Sequence, residues 1–137
     1  MTEISLELQK AIRARLVATT AVTALVPATS IFDRSSRPEK FPCIIIGEAQ
    51  TVLEPITFAR QHVRAFLDLH VWTKEDSLVE LKAISGTLQM ALASKPVVQG
   101  VHLVDWSIRG ARYMRDPGEI GHGVITIEAL ANAKVLA

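Results

Sequence analysis

The sequence predicts an α+β fold in which two long helices pack on one face of a mostly antiparallel sheet of four or more strands. Two amphipathic helical patterns, over residues 4–18 and 77–94, support this prediction. Each is followed by segments with the alternation or the β-branched composition of strands. The order helix, strands, helix, strands is typical of a two-layer α+β domain.

The first helix is predicted from apolar side chains that recur every four residues, with charged side chains on the opposite face. This stripe consists of Ile4, Leu8, Ile12 and Leu16. Thr19 or Thr20 then caps a short second helix, which Pro27 ends. The segment Ile31–Phe32 is predicted to be extended, and the polar residues 35–40 form a turn.

Two strands are predicted in the middle of the chain. Cys43–Glu48 holds three successive isoleucines, as expected of a strand that is buried on both faces. His62–Trp72 alternates regularly. One face of it carries Val63, Ala65, Leu67, Leu69 and Val71, and the other carries Arg64, Phe66, Asp68, His70 and Trp72. Residues 53–61 between the two strands are predicted to be a long hairpin loop.

The second long helix, over 77–94, is predicted from an apolar stripe of Leu78, Leu81, Ile84, Leu88 and Leu92. Thr73 and Asp76 are its candidate caps, and Lys95-Pro96 ends it. A strand follows from Gly100 to about Tyr113, in which Trp106 and Ile108 share a face with His102 and Val104. A turn at 116–118 leads to the last strand, over 124–130.

Composition indicates one globular domain over residues 1–137. Lys and Arg number 15 and Asp and Glu number 14, and the net charge of +1 lacks the basic footprint of a nucleic-acid-binding protein. No signal peptide or membrane-spanning segment is predicted. The mean hydropathy of +0.26 indicates apolar surface that a partner covers.

No catalytic constellation emerges from the residues. Asp68, His70 and His102 could offer three metal ligands, but no HxH or HExxH spacing supports a metal site, and the polar face of a strand explains them better. The glycines 118, 121 and 123 lead into a strand rather than a helix, which excludes a phosphate loop. Cys43, the only cysteine, is expected to be an inert buried thiol. We expect no enzyme activity, no cofactor and no metal.

Several local patterns, in this order and at these separations, resemble the phage tail-completion family, which includes the tail terminators of long-tailed phages and gene transfer agents. The matching segments are residues 21–26, 30–34, 41–48, 69–73, 77–93, 115–118 and 122–124. Cys43 departs from the pattern, since an aromatic residue is common in the family at this packing position.

The resemblance implies a structural virion protein at the junction between tail and neck, assembled in the cytoplasm of a bacterial host. It implies a ring of identical subunits, a hexamer in this family, that caps the head-proximal end of the tail tube. The implied partners are further copies of the chain, the tail tube protein and the head–tail connector. DNA is expected to pass through the lumen without specific binding, which the near-zero net charge suits.

Two other classes stay open at this point. A small-ligand-binding or regulatory α+β domain would need a concave apolar pocket. A hydrolase or metalloenzyme would use His70, His102 and nearby carboxylates. The loop over 53–61 is longer than ordinary hairpin loops and carries apolar residues, which either fold back on their own domain or contact a partner. Because long loops are often binding elements, Leu53, Ile56 and Phe58 are predicted to contact a neighbouring subunit or the tail tube.

Overall fold

The computed structural model describes residues 3–33, 38–54 and 62–132. In these residues, three helices and a short 3-10 turn (Ala28–Ser30) accompany one sheet. The helices are α1 (Ile4–Ala18), α2 (Thr20–Thr23) and α3 (Val79–Ala91). The strands are β1 (Ile31–Phe32), β2 (Cys43–Glu54), β3 (His62–Lys74), β4 (His102–Asp116) and β5 (Ile120–Asn132).

The sheet has the order β1-β2-β3-β5-β4. Only β1 and β2 pair in parallel, through Ile31 opposite Ile44 and Phe32 opposite Ile45. The pairs β2–β3, β3–β5 and β5–β4 are antiparallel. None of the helices in the described part of the chain has the length and apolar character needed to cross a membrane.

The predicted fold class is wrong in its balance of helix and sheet. Strands account for 46% of the structure and helices for 29%, only two helices reach seven residues, and the sheet is mixed. The strands are longer than predicted because main-chain pairing continues where side-chain patterns stop. β2 continues to Glu54 although its distal residues are exposed, and β5 begins at Ile120 rather than at 124.

One core lies between the sheet and the helices. It receives the α1 stripe Ile4, Leu8, Ile12 and Leu16, as predicted, and Leu81, Ile84, Leu88 and Leu92 from α3 and its C-terminus. From β3 it takes Ala65, Leu67, Leu69 and Val71, which confirms the predicted alternation of that strand. From β5 it takes Ile125, Ile127, Ala129 and Ala131.

The N-terminus of α3 is capped by a different residue from those predicted. The Glu75 carboxylate accepts hydrogen bonds from the backbone N–H groups of Glu80 at 3.0 Å and Leu81 at 3.1 Å. These N–H groups lack intrahelical partners, so a carboxylate there stabilises the helix. At the other end, the Arg15 guanidinium donates to the carbonyl oxygens of Ala91 and Ser94 and so ties α1 to α3.

Two irregularities change which face of the sheet a residue occupies. In β4 the register shifts between Leu103 and Asp105, so that Leu103 and Trp106 both lie on the core side. The predicted simple alternation of this strand, with His102, Val104 and Trp106 on one face, is therefore wrong. In β2 the register shifts between Ile46 and Glu48, which places Glu48 opposite Asp68.

Candidate functional site

The face of the sheet that points away from the helices, here called the open face, carries most of the polar chemistry of the molecule. Its side chains in β3 and β5 are all partly buried. They are Arg64, Phe66, Asp68, His70 and Trp72 of β3 and His122, Val124, Thr126 and Glu128 of β5. No helix in the described ranges covers this face.

A stack of aromatic rings lies at one end of the open face. The rings of Trp72 and His122 lie parallel with centroids 3.8 Å apart, and His70 stacks on His122 at 5.1 Å. The His70 Nδ1 and His122 Nε2 atoms are 2.9 Å apart, which is a hydrogen bond. Carboxylates flank the pair, with Glu48 3.4 Å from His70 and Asp116 4.0 Å from His122.

The pKa of His122 is lowered from its ordinary value of 6.5, chiefly because burial disfavours the charged ring. Electrostatic interactions with His70 and Arg112 lower this pKa further, whereas those with the Asp116 and Glu48 carboxylates oppose the shift. His122 is therefore neutral in the folded protein at physiological pH. A neutral ring can still make its hydrogen bond with His70 and its stack on Trp72.

We expect the folded protein to lose stability when the pH falls from about 7.5 to about 5.5. The unfolded chain takes up the His122 proton near pH 6.5, whereas the folded chain resists it, so protonation favours unfolding as the pH falls below 6.5. Melting temperatures across this range measure the effect. In the His122→Gln variant, the melting temperature should depend less on pH over this range. An equally steep pH dependence in the variant would show that His122 does not cause the loss of stability.

An ion-pair network occupies the other end of the open face. The Arg64 guanidinium lies 2.8 Å from the Glu54 carboxylate and 3.0 Å from that of Glu128, and so joins β2, β3 and β5. Arg109 approaches Glu128 at 3.9 Å. Between the two ends, the Thr126 hydroxyl donates to Asp68 at 2.9 Å. The arrangement joins the three strands through ion pairs and a hydroxyl–carboxylate hydrogen bond.

The metal ligands considered from the sequence do not come together. His70 lies opposite Val124, but His102 lies opposite Asn132, which is eight residues further along β5 and so about 27 Å away. The structure instead brings Glu48 to Asp68 and His70, with one ligand atom of each within 4.8 Å of the others. The Glu48 side chain is 74% exposed, and this trio carries no metal assignment.

Metal analysis of the purified protein should find no stoichiometric metal. His102→Gln should change the free energy of unfolding by less than about 0.5 kcal/mol, because His102 is exposed. His70→Gln should cost about 1 kcal/mol, because it removes the hydrogen bond with His122. A folded His70→Gln variant that has lost a bound metal or a measurable turnover would overturn the expectation of a protein without metal or catalysis.

Structural roles explain Cys43, the glycines 118 and 123, and the buried Ser85. Cys43 is fully buried, as predicted, and burial raises the pKa of its thiol to about 11. Ser85 is buried in α3 and shares a 2.8 Å hydrogen bond with the Tyr113 hydroxyl. Gly118 occupies the β4–β5 turn with a φ of 88°. Gly123 lies under α3, where a Cβ would come within 3.1 Å of Leu81.

A shallow depression on the open face has a volume of about 450 Å³. Its lining includes Asp68, Arg112, Val124 and Thr126. This lining is mainly polar and opens broadly to solvent, unlike the enclosed apolar pockets that hold small ligands. The depression gives no support to the ligand-binding alternative.

The distal half of β2 is the most exposed part of the sheet. Residues 47–53 are all exposed, although residues 48–53 pair with β3. Leu53, predicted to begin the hairpin loop, is in fact within β2, with 52% of its surface exposed. Val52 is 42% exposed. Ile56 and Phe58, the other two predicted contact residues, lie outside the described residues.

Sequence patterns alone could not have found the His70–His122 pair or the contact of Arg64 with Glu128. These pairs are separated by 52 and 64 residues in the chain, and each forms because β3 and β5 lie side by side. The alternation of β3 did place Arg64, Asp68 and His70 on one face. The sequence did not show that β5 is the strand next to β3, and this neighbour supplies His122 and Glu128.

The fold of this chain is found in a known structure, although its sequence matches no curated protein significantly. A chain in a structure described as the virion of a native gene transfer agent particle has the same fold, with a TM-score of 0.77 at 19% sequence identity. The match covers 91% of this chain and 94% of that chain.

The family model described as "Tail completion protein gp17" matches residues 10–132. This match confirms the resemblance found in the residues of the sequence. Since it spans nearly the whole sequence, the chain belongs to the tail completion protein gp17 family and is a structural tail-completion protein of a virion.

Proposed function

We propose that this chain, as a single domain, assembles into a ring on the head-proximal end of the tail tube. The ring stops polymerisation of the tube and presents a surface to the head connector at the junction of tail and neck. Membership of the tail-completion family supports this function. The DNA passes through the ring, and a subunit with a net charge of +1 does not grip the phosphate backbone.

The exposed distal half of β2 is the observation that carries the proposal. Its side chains on both faces reach solvent in the isolated subunit, including the apolar Val52 and Leu53. Exposed apolar side chains at the edge of a sheet are typical of surfaces that a partner covers. A ring needs such surfaces, because every subunit in it must present two unlike patches that fit each other.

Electron microscopy tests the proposal directly. Images of the purified protein, alone and mixed with tail tubes, should show rings on one end of the tubes, and particles made without this chain should carry tails of uncontrolled length. A hexamer is the expected copy number. A particle structure in which the chain is an isolated monomer, with no like neighbour, would refute the proposal.

A further inference from the structure

The sheet has two free edges, and they differ in character. β4 forms one edge over its 15 residues, and no strand in the described ranges pairs with its outer side. At the opposite edge, β1 covers only Ile44 and Ile45, and beyond them no described strand pairs with the outer side of β2. Unpaired strand edges expose main-chain N–H and C=O groups that readily pair with another strand.

We propose that neighbouring copies in the ring join edge to edge, with β4 of one copy pairing antiparallel to the distal half of β2 of the next. This inference rests on the ring proposed above and names its subunit contact. The two edges are unlike, so the contact is head-to-tail and can close into a ring. The occupant of the free edge of β4 is thus a second copy of this chain.

Strand direction is consistent with this pairing. β2 and β5 run one way and β3 and β4 run the other, since each neighbouring pair among them is antiparallel. A rotation about an axis nearly parallel to the strands preserves their direction in every copy. β4 therefore meets the β2 of the next copy in antiparallel orientation, and the helices of every copy stay on the same side of the combined sheet.

The side chains select one register. β4 is regular from Ala111 to Asp116, beyond its second irregularity, and so offers a straight edge. Pairing residues 112–116 with residues 50–54 brings side chains of the same face together. The opposed pairs are Arg112 with Glu54, Tyr113 with Leu53, Met114 with Val52, Arg115 with Thr51 and Asp116 with Gln50.

This register matches charge and apolar surface at once. Arg112 is exposed and forms no ion pair within the described residues, and across the contact it meets Glu54. Met114 and Tyr113 are half-buried and cover Val52 and Leu53, which are largely exposed in the single subunit. A slip of two residues in one direction instead sets Asp116 against Glu48, and such like-charge pairs are unfavourable.

Cysteine crosslinking in assembled particles tests the contact. Opposed residues in an antiparallel pair have Cα atoms about 4.5–5.5 Å apart, which suits a disulfide. The variant carrying both Val52→Cys and Met114→Cys should give a ladder of covalent multimers on a non-reducing gel, and reduction should remove it. The native Cys43 is fully buried with a pKa of about 11, so the original protein is a silent control.

A matched control separates this register from nonspecific oxidation. The variant with Leu53→Cys and Met114→Cys places the two thiols on opposite faces of the combined sheet, and it should stay monomeric on the gel. Particles with normal tails in which Val52→Cys with Met114→Cys stays monomeric would overturn the edge contact but leave the proposed function standing. Absence of any ring would overturn both.

Hydrogen exchange tests the same contact without substitutions. Among residues 112–116, the amides that point away from β5 should exchange at least about ten-fold more slowly in particles than in the free subunit, because a new strand protects them. Equal exchange in the two states would contradict the pairing, even where the cysteine variants fail to fold.

Discussion

Replacing residues 55–61 by a two-residue Asn-Gly turn should leave the subunit folded and impair its assembly on the tail. Glu54 and His62 lie directly opposite each other, so a two-residue turn fits the hairpin without disturbing β2 or β3. The deletion removes Ile56 and Phe58, predicted to bury against a neighbouring subunit or the tube. Each such side chain contributes about 1.5–3 kcal/mol when buried, so losing both weakens association by about 10²-fold or more.

Assembly and folding are measured separately in this experiment. Tail length and the yield of complete particles report on assembly, and the melting temperature of the purified subunit reports on folding. The double variant Ile56→Ser with Phe58→Ser keeps the loop length and should reproduce the assembly defect. Normal particles from the shortened chain would show that this hairpin makes no essential contact.

Leu88→Ala should destabilise the subunit by about 2–5 kcal/mol, because it leaves a cavity in the core beneath α3. Leu88 is fully buried in contact with the sheet layer, whereas Met90, two residues later in the same helix, is 82% exposed. Met90→Ala is therefore the matched control and should change the free energy of unfolding by less than about 0.5 kcal/mol.

Urea denaturation of the original protein and of the Leu88→Ala and Met90→Ala variants gives the change in the free energy of unfolding for each substitution. Cavity formation predicts a lower midpoint with an unchanged slope for Leu88→Ala, since the same surface is exposed on unfolding. Equal midpoints for the Leu88→Ala and Met90→Ala variants would mean that α3 does not contribute to the core as described.

Local side-chain patterns were sufficient for several features of this protein. The spacing of Ile4, Leu8, Ile12 and Leu16 predicted α1 and its buried stripe, and the alternation of β3 predicted both of its faces. The buried state of Cys43 also followed from its neighbours. Such patterns record whether a side chain meets core or solvent, and this is a property of a single segment.

The balance of the fold depended on contacts between segments. β2 continues through seven exposed residues because β3 supplies its hydrogen bonds, and no hydrophobic pattern marks that extension. The cap of α3 likewise required Glu75, rather than Thr73 or Asp76, to reach the free N–H groups of the helix. The second predicted helix was consequently too long, and the strands were predicted too short.

The sequence by itself determined which residues enter the core from α1 and β3 and to which family the chain belongs. Only the tertiary structure decided that Glu48 joins the open face, that His70 meets His122, and that β4 and distal β2 are left as free edges. The physical reason is that one residue added to a strand reverses the faces of all that follow. Strand order, in turn, leaves no local pattern in the sequence, because the main-chain groups that pair neighbouring strands are the same for every residue type except proline.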